Sequence, residues 1–331
     1  MRPLAKAERM PEIIDGYTHV LTEDFFEALT DEFGFQGLSG RPEFLWQHDQ
    51  RLQDMADYGV DRQVVTLALP TMFQGMDHDL ALDITRFAND EIRRLADAHE
   101  EFIPVGTIPK VSEAFVAEFE RCVDDLDMAG VQIFSNVDGK PLDAPEFRPL
   151  FERAEATDTP LWMHPQLWEW YEWADEYMGH RLFGWPFDTS LALSRLVFGG
   201  VMEAYPDLKL ISHHGGGMVP FYAERIAMFH RQRKAYPQNY QSFHENAADL
   251  SRPAEEYFAK FYADTAVSGS TPAIECASSF FGSNLVFGTD YPFSPENGRE
   301  CVRMGIEAVE RMDADEETKA DVFAGNLRAL L

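Results

Sequence analysis

The stretch Leu208-Lys-Leu-Ile-Ser-His213-His214-Gly-Gly-Gly-Met-Val-Pro220 decides how the rest of the chain is interpreted. An apolar run of strand length leads into two histidines and three glycines, and a helical pattern follows from residue 221. Polar side chains at the end of a strand, beside backbone that carries almost no side chains, favour a site where a ligand approaches the main chain. The structural alternative is a buried histidine pair before a glycine turn.

Three other apolar segments also end in polar groups, at His19, His164 and Asp290. Helical patterns separate eight segments of strand length, which predicts a single (β/α)₈ TIM barrel. A doubly wound open sheet is the alternative, but no glycine fingerprint follows the first segment. The predicted strands span residues 13–20, 61–69, 102–108, 130–134, 160–164, 208–212, 261–264 and 285–290.

We predict one domain over residues 1–331, with insertions at about 22–48, 166–187 and 236–256. The second insertion is rich in aromatic residues, which fit either a hydrophobic plug or oligomer contact, or an aromatic wall over a cleft. Its aromatic residues are Trp168, Trp170, Tyr171, Trp173, Tyr177, Phe183, Trp185 and Phe187.

The composition bounds the partners of the protein. The formal charge is -29, from 57 acidic and 28 basic residues, so the chain lacks the positive footprint that a nucleic acid requires. So large an excess of acid indicates a surface adapted to high salt, where self-repulsion is screened. Three widely spaced cysteines and no apolar run of membrane-spanning length predict a cytoplasmic protein without disulfides or a membrane partner.

In a (β/α)₈ barrel, the carboxyl ends of the strands form the functional face. Two histidines and a carboxylate on strands one, five and eight suit a divalent metal that keeps an open coordination position. The polar residues expected on that face are Tyr17, His19, His164, His213, His214, Asp264 and Asp290.

The chain resembles the amidohydrolase superfamily, in the branch of aminocarboxymuconate-semialdehyde and resorcylate-type decarboxylases. The resemblance covers nearly the whole length. The residues that carry it are Ile14-Asp-Gly-Tyr17-Thr-His19, Arg51-Leu-Gln-Asp-Met, Gly130-Val-Gln-Ile, Trp162-Met-His164-Pro, His214-Gly-Gly-Gly-Met-Val-Pro220, Arg225-Ile, Gly288-Thr-Asp290-Tyr-Pro and Asn326.

The resemblance implies a divalent metal, zinc or manganese, held by His19, His164 and Asp290. The family pattern begins with a His-x-His motif on strand one, and Tyr17 departs from it. Because a phenol is a poor ligand at neutral pH, three roles for Tyr17 remain open. It ligates the metal, it hydrogen-bonds a metal-bound water, or it marks a weakened site.

The resemblance also implies roles around the metal. His214 and Asp290 handle the proton, while His213 lies outside the ligand set or on the rim. Arg51 and Arg225 hold a small-molecule carboxylate substrate, with Arg225 supplied by the other subunit of a homodimer. Apart from the resemblance, the aromatic segment, with Trp168, is expected to supply a wall that keeps water from the substrate.

The function implied is non-oxidative decarboxylation of a small aromatic or enoic carboxylic acid. A metal-dependent hydrolase or hydratase acting on a cyclic amide, ester or lactone is the alternative, because the same groups would activate water. A metal-free binding protein on the same barrel is the second alternative, suggested by Tyr17.

Overall fold

Eight parallel strands pair in the order in which they occur along the chain. The structure is a computed structural model that describes residues 11–34, 42–68, 70–169, 172–241, 245 and 247–331. The strands are β1 (Ile14–Val20), β2 (Arg62–Leu67), β3 (Phe102–Thr107), β4 (Gly130–Phe134), β5 (Leu161–His164), β6 (Leu210–Ser212), β7 (Tyr262–Asp264) and β8 (Leu285–Val286).

The first and last strands meet and close the sheet. The Gly16 N–H donates to the carbonyl of Phe287 at 2.7 Å, and the His19 N–H donates to the carbonyl of Tyr291 at 2.8 Å. A parallel bridge between Thr18 and Tyr291 continues this seam. The predicted (β/α)₈ barrel is therefore confirmed.

The helices cover the outside of the barrel between successive strands. We label those of nine residues or more in the described part of the chain. They are α1 (Glu23–Asp31), α2 (His48–Tyr58), α3 (His78–Ala98), α4 (Glu113–Asp124), α5 (Arg148–Ala156), α6 (Trp185–Phe198), α7 (Ala223–Ala235), α8 (Thr271–Phe281) and α9 (Arg299–Arg311). The chain ends in short helical segments over residues 316–330.

The three segments predicted as insertions contain regular structure in part. Helix α1 lies in the first of them, and the hydroxyl of Thr22 caps it by accepting from the Phe25 N–H at 3.1 Å. In the aromatic segment, two short helical segments, Glu172–Asp175 and His180–Gly184, precede α6, which begins at Trp185. Trp170 and Tyr171 lie outside the described residues.

Large side chains fill the barrel interior. Trp162 on β5 is fully buried, and its indole N–H donates to the carbonyl of Gly16 across the barrel at 2.9 Å. A Cβ atom at position 130 would lie 2.2 Å from the Trp162 ring, so this strand position requires glycine. At the opposite end from the histidines, Leu327 and Leu330 of the last helical segment pack under the barrel.

Candidate metal centre and active site

Four histidines and an aspartate meet at one end of the barrel. His19 and His164 lie on β1 and β5, while His213, His214 and Asp290 lie beyond the ends of β6 and β8. The rings of His19 and His164 are 5.2 Å apart, and those of His164 and His213 are 5.3 Å apart. The structure therefore brings together the residues that the sequence placed at one mouth.

Hydrogen bonds fix the orientation of the first two imidazoles. The Nδ1 of His164 donates to the carbonyl of Pro165 at 2.7 Å. The Nδ1 of His19 lies 2.9 Å from the hydroxyl of Thr66, whose own proton goes to the carbonyl of Thr18, so His19 is the donor. With Nδ1 protonated, each ring directs an unprotonated Nε2 into the cluster.

Asp290 lies opposite these nitrogen atoms. Its Oδ1 is 3.2 Å from the Nε2 of His19, and its Oδ2 is 3.8 Å from the Nε2 of His214. Burial opposes ionisation of Asp290, but the neighbouring imidazoles of His19, His213 and His214 outweigh it and hold the pKa of the carboxyl well below its usual range. Burial lowers the pKa of His19 and brings that of His164 well below 6.5, so both imidazoles are neutral at neutral pH.

This donor set fits a divalent metal ion. The Nε2 of His19 is buried and has no hydrogen-bond partner among the described residues, although a carboxylate lies 3.2 Å away. Two neutral imidazoles and an ionised carboxylate are ligands that zinc and manganese accept in proteins. His19, His164 and Asp290 would hold such an ion.

His213 is more deeply placed than the sequence suggested. Its side chain is fully buried, so it does not lie on the rim, and its Nδ1 hydrogen-bonds Asp264. Its Nε2 lies 3.5 Å from the Oδ1 of Asp290. Burial would lower the pKa of this imidazole, but the charges of Asp264 and Asp290 outweigh burial and raise it to about 9.

Tyr17 lies against His213, with ring centroids 4.0 Å apart. Burial, together with the charges of Asp264 and Asp290, holds the pKa of the Tyr17 hydroxyl well above 10. The hydroxyl is buried without a hydrogen-bond partner in the described ranges. A neutral phenol is a weak ligand, so the structure favours a role other than ligation for Tyr17.

His214 occupies the mouth of the site. Its backbone is left-handed, with φ of 56°, and the three glycines after it also have positive φ. A side chain at Gly217 would lie 2.4 Å from the carbonyl of Pro186, so the turn requires glycine there. Burial and neighbouring His213 lower the pKa of His214. The Trp185 ring stacks on His214 at 6.0 Å between centroids.

The two arginines lie outside the histidine cluster. Arg51 is buried behind β1, where it donates to Thr18 and Gln63 at 3.2 Å each, and to the carbonyl of His19. Arg225 is exposed on α7, 4.8 Å from the ring of Phe229. Their assignment to substrate binding stays a prediction.

Other aromatic residues contact the histidine cluster. Trp168 packs over Gly139, where a Cβ would be 2.7 Å away, and its role also stays a prediction. The ring centroids of Trp185 and His164 are 6.0 Å apart, and those of Phe293 and His19 are 5.5 Å apart. Trp185 was part of the aromatic segment, whereas no pattern in the sequence singled out Phe293.

The sequence profile of the amidohydrolase family matches residues 14–331. The chain belongs to this family. It is 32% identical over 290 residues to 2-amino-3-carboxymuconate-6-semialdehyde decarboxylase of Dictyostelium discoideum, covering 85% of this chain and 75% of that protein. It is 29% identical over 294 residues to gamma-resorcylate decarboxylase of Polaromonas sp., covering 83% of this chain and 86% of that protein. Because these relatives are decarboxylases, the family member described here is an enzyme.

Solved structures share the fold. The 5-carboxyvanillate decarboxylase of Sphingomonas paucimobilis superposes with a TM-score of 0.82 at 24% identity, covering 97% of this chain and 98% of that chain. A 5-carboxyvanillate decarboxylase of Novosphingobium aromaticivorans, solved with bound manganese, gives a TM-score of 0.83 at 24% identity, covering 98% of this chain and 97% of that chain. None of the helices in the described part of our chain has the length and apolar character needed to span a bilayer.

Proposed function

We propose that this enzyme is a metal-dependent, non-oxidative decarboxylase that acts on a small aromatic or enoic carboxylic acid. The observation that carries the proposal is the meeting of neutral His19, neutral His164 and ionised Asp290 in one mouth. The named relatives, which decarboxylate resorcylate or aminocarboxymuconate semialdehyde, support the substrate class. The metal is manganese or zinc, and a bound ion supplies a Lewis acid that polarises a substrate oxygen.

Residues of the chain then carry out the proton transfer that decarboxylation requires. The substrate carbon that bears the carboxylate gains a proton, the carbon–carbon bond breaks with its electron pair left on the substrate, and CO₂ departs. His214 delivers the proton from Nε2, because it lies at the mouth and is 15% exposed. Asp290, 3.8 Å from that nitrogen, stabilises the imidazolium by its charge. Trp185 and Phe293 exclude water from the reacting carbon.

Product analysis in D₂O tests this reaction. Metal-loaded enzyme is offered 2,6-dihydroxybenzoate, 5-carboxyvanillate, 6-methylsalicylate and aminocarboxymuconate semialdehyde, and CO₂ release is measured. We expect turnover of at least one acid, with one deuterium at the carbon that lost the carboxylate. His214→Asn should reduce kcat by about 100-fold or more. CO₂ release from none of these acids, with hydrolysis of a lactone or amide instead, would contradict decarboxylation.

We further propose that the active form is a homodimer joined through α6 and α7. A groove of about 610 Å³ between these helices is lined mainly by apolar side chains, and Arg225 lies in it. Several large apolar residues that line the groove are exposed, including Leu191 at 48% and Tyr222 at 43%. A second copy of the chain would bury them and carry its Arg225 towards the neighbouring active site.

Sedimentation and subunit mixing test the dimer. Leu191→Asp in the groove should convert the dimer to monomer, while Leu331→Asp, at an equally exposed position outside the groove, should not. If Arg225 acts across the interface, mixing inactive Arg225→Ala and His214→Ala chains should restore about a quarter of wild-type activity, because half the dimers are mixed and each has one complete site. No recovery after verified exchange would contradict action in trans.

The pairing state of the cysteines is the basis for proposing a cellular compartment. Cys122, Cys276 and Cys301 are unpaired, which supports a reducing environment, and we propose the cytoplasm.

A further inference from the structure

One imidazole in the cluster has no assigned role. His213 is absent from the ligand set that the resemblance implies, while Tyr17 stands where that set has a histidine. Yet the structure brings donor atoms of three histidines, rather than two, close together. One ring nitrogen from each of His19, His164 and His213 lies within 4.8 Å of the others, and all three side chains are buried.

The hydrogen bonds of His213 match those of the other two rings. Its Nδ1 is bound to the carboxylate of Asp264, just as the Nδ1 atoms of His19 and His164 are bound to Thr66 and Pro165. This leaves the Nε2 of His213 facing the cluster. That atom is fully buried and has no hydrogen-bond partner within the described residues. An oriented, unpartnered imidazole nitrogen is the form in which histidine binds metals.

The spacing fits coordination of one ion. Two ligand atoms about 2.1 Å from an ion, separated by a tetrahedral angle, are about 3.4 Å apart. The Oδ1 of Asp290 is 3.5 Å from the Nε2 of His213 and 3.2 Å from the Nε2 of His19. Both separations are close to the value expected for two ligands of one ion.

Tyr17 also contributes to the orientation of this ring. Its phenol ring packs on His213 with centroids 4.0 Å apart and planes inclined by 32°. Asp264 holds the same imidazole at its edge and also accepts from the Gly215 N–H at 3.2 Å. The plane of His213 is thus fixed from two directions by residues that are themselves buried.

We propose that His213 is a metal ligand in this enzyme, together with His19, His164 and Asp290, and that it supplies the imidazole that Tyr17 does not. Tyr17 and Asp264 act as positioning residues for His213. This inference rests on the proposed function for the presence of a metal. The competing arrangement is a protonated His213 that bridges Asp264 and Asp290 and binds no metal.

Metal titration distinguishes the two arrangements. Chelator-treated protein is titrated with Co²⁺ against a competing chelator, and the visible absorption of bound Co²⁺ is recorded. We expect His213→Ala to weaken Co²⁺ binding by about 100-fold or more, and to change the spectrum because a nitrogen ligand is lost. The double variant Tyr17→His/His213→Ala should recover affinity to within about tenfold of the wild type, because it returns the imidazole to β1. His48→Ala is the control, since His48 has buried, unpartnered ring nitrogens outside the cluster in the described chain.

X-ray absorption of the metal-loaded wild type gives a test that needs no variant. Three coordinated imidazoles support the inference, and two imidazoles overturn it. Wild-type affinity and spectrum in folded His213→Ala protein would also overturn it and leave the decarboxylase proposal intact. If the wild type binds no Co²⁺, Mn²⁺ or Zn²⁺, the metal-dependent function and the inference both fail.

Discussion

Asp15 is a buried carboxyl group near the start of β1. Thr289 donates to it from both its backbone N–H, at 3.0 Å, and its hydroxyl, at 2.6 Å. Burial outweighs these hydrogen bonds and raises the pKa of Asp15 from 3.8 to about 7. Between those pH values the native state binds more protons than the unfolded state, so the free energy of unfolding falls as pH rises.

The Asp15→Asn variant should lose this pH dependence. We expect the variant to gain stability relative to the wild type as pH rises from 5 to 8, by at most about 1.4 kcal/mol per pH unit up to pH 7. Urea unfolding of metal-free protein measures the difference. Asp79→Asn controls for the loss of one charge, because the Asp79 side chain is 98% exposed. A difference between Asp15→Asn and wild type that is constant with pH would contradict the raised pKa.

Thr66 determines which nitrogen of His19 faces the cluster. Thr66→Val keeps the shape of the side chain but removes the acceptor for the His19 Nδ1–H. We expect the affinity for Mn²⁺ to fall by about 10- to 100-fold, because the imidazole loses its fixed orientation. Thr85→Val is the matched control, since Thr85 is equally buried and donates to the Ala81 carbonyl in α3, away from the site. Equal affinities for the two variants would exclude this role.

The two adjacent histidines show what the sequence alone could not resolve. His19, His164 and Asp290 were predictable as neighbours, because strand ends of a closed barrel share one face. The depth of His213 was not predictable, because it depends on the left-handed backbone of His214 and on Asp264, which is 51 residues further along. These are local geometry and tertiary contact, which no spacing rule contains.

At the scale of secondary structure, strands were easier to predict than helices. The buried strands are short apolar runs between turn residues, and each predicted strand overlaps an observed one. Helix α8 is difficult to predict from its sequence, because Thr271-Pro-Ala-Ile-Glu-Cys-Ala-Ser-Ser-Phe-Phe has one charged residue and a weak apolar–polar period. Its position between β7 and β8 is set by packing rather than by local pattern.

The surroundings of two glycines predict opposite effects of a glycine-to-alanine substitution on stability. Gly130→Ala on β4 would place a Cβ 2.2 Å from the Trp162 ring and 2.5 Å from the Pro160 carbonyl. We expect it to lower the free energy of unfolding by about 1–3 kcal/mol, because the closely packed atoms of the barrel interior cannot move aside for the added methyl group. Gly305→Ala in α9 meets its nearest atom at 3.4 Å and should be neutral or stabilising by up to about 1 kcal/mol. Urea unfolding that ranks the two variants in the reverse order would contradict the packing described here.

For the whole molecule, the excess of acidic residues sets how stability responds to salt. At a formal charge of -29, self-repulsion favours the expanded unfolded chain over the compact native state. Salt weakens this repulsion, but it also weakens surface ion pairs such as Arg94–Asp24, at 2.6 Å. Each exposed pair contributes only about 0–1 kcal/mol, and 57 acids outnumber 28 basic residues, so the loss of repulsion should dominate.

We therefore expect the thermal midpoint to rise between 0.1 M and 1 M KCl, by more than about 2 °C, which is roughly 1 kcal/mol for a chain of this size. The way in which the thermal midpoint depends on KCl concentration distinguishes screening of the protein charges from stabilisation by exclusion of salt from the protein surface. The screening length is already about 3 Å at 1 M, so screening predicts that most of the rise is complete there. Tetramethylammonium chloride should act like KCl, because screening does not depend on which cation supplies the charge. If the thermal midpoint stays constant or falls up to 1 M KCl and rises only at higher concentrations, repulsion between the acidic residues does not cause the salt dependence of stability.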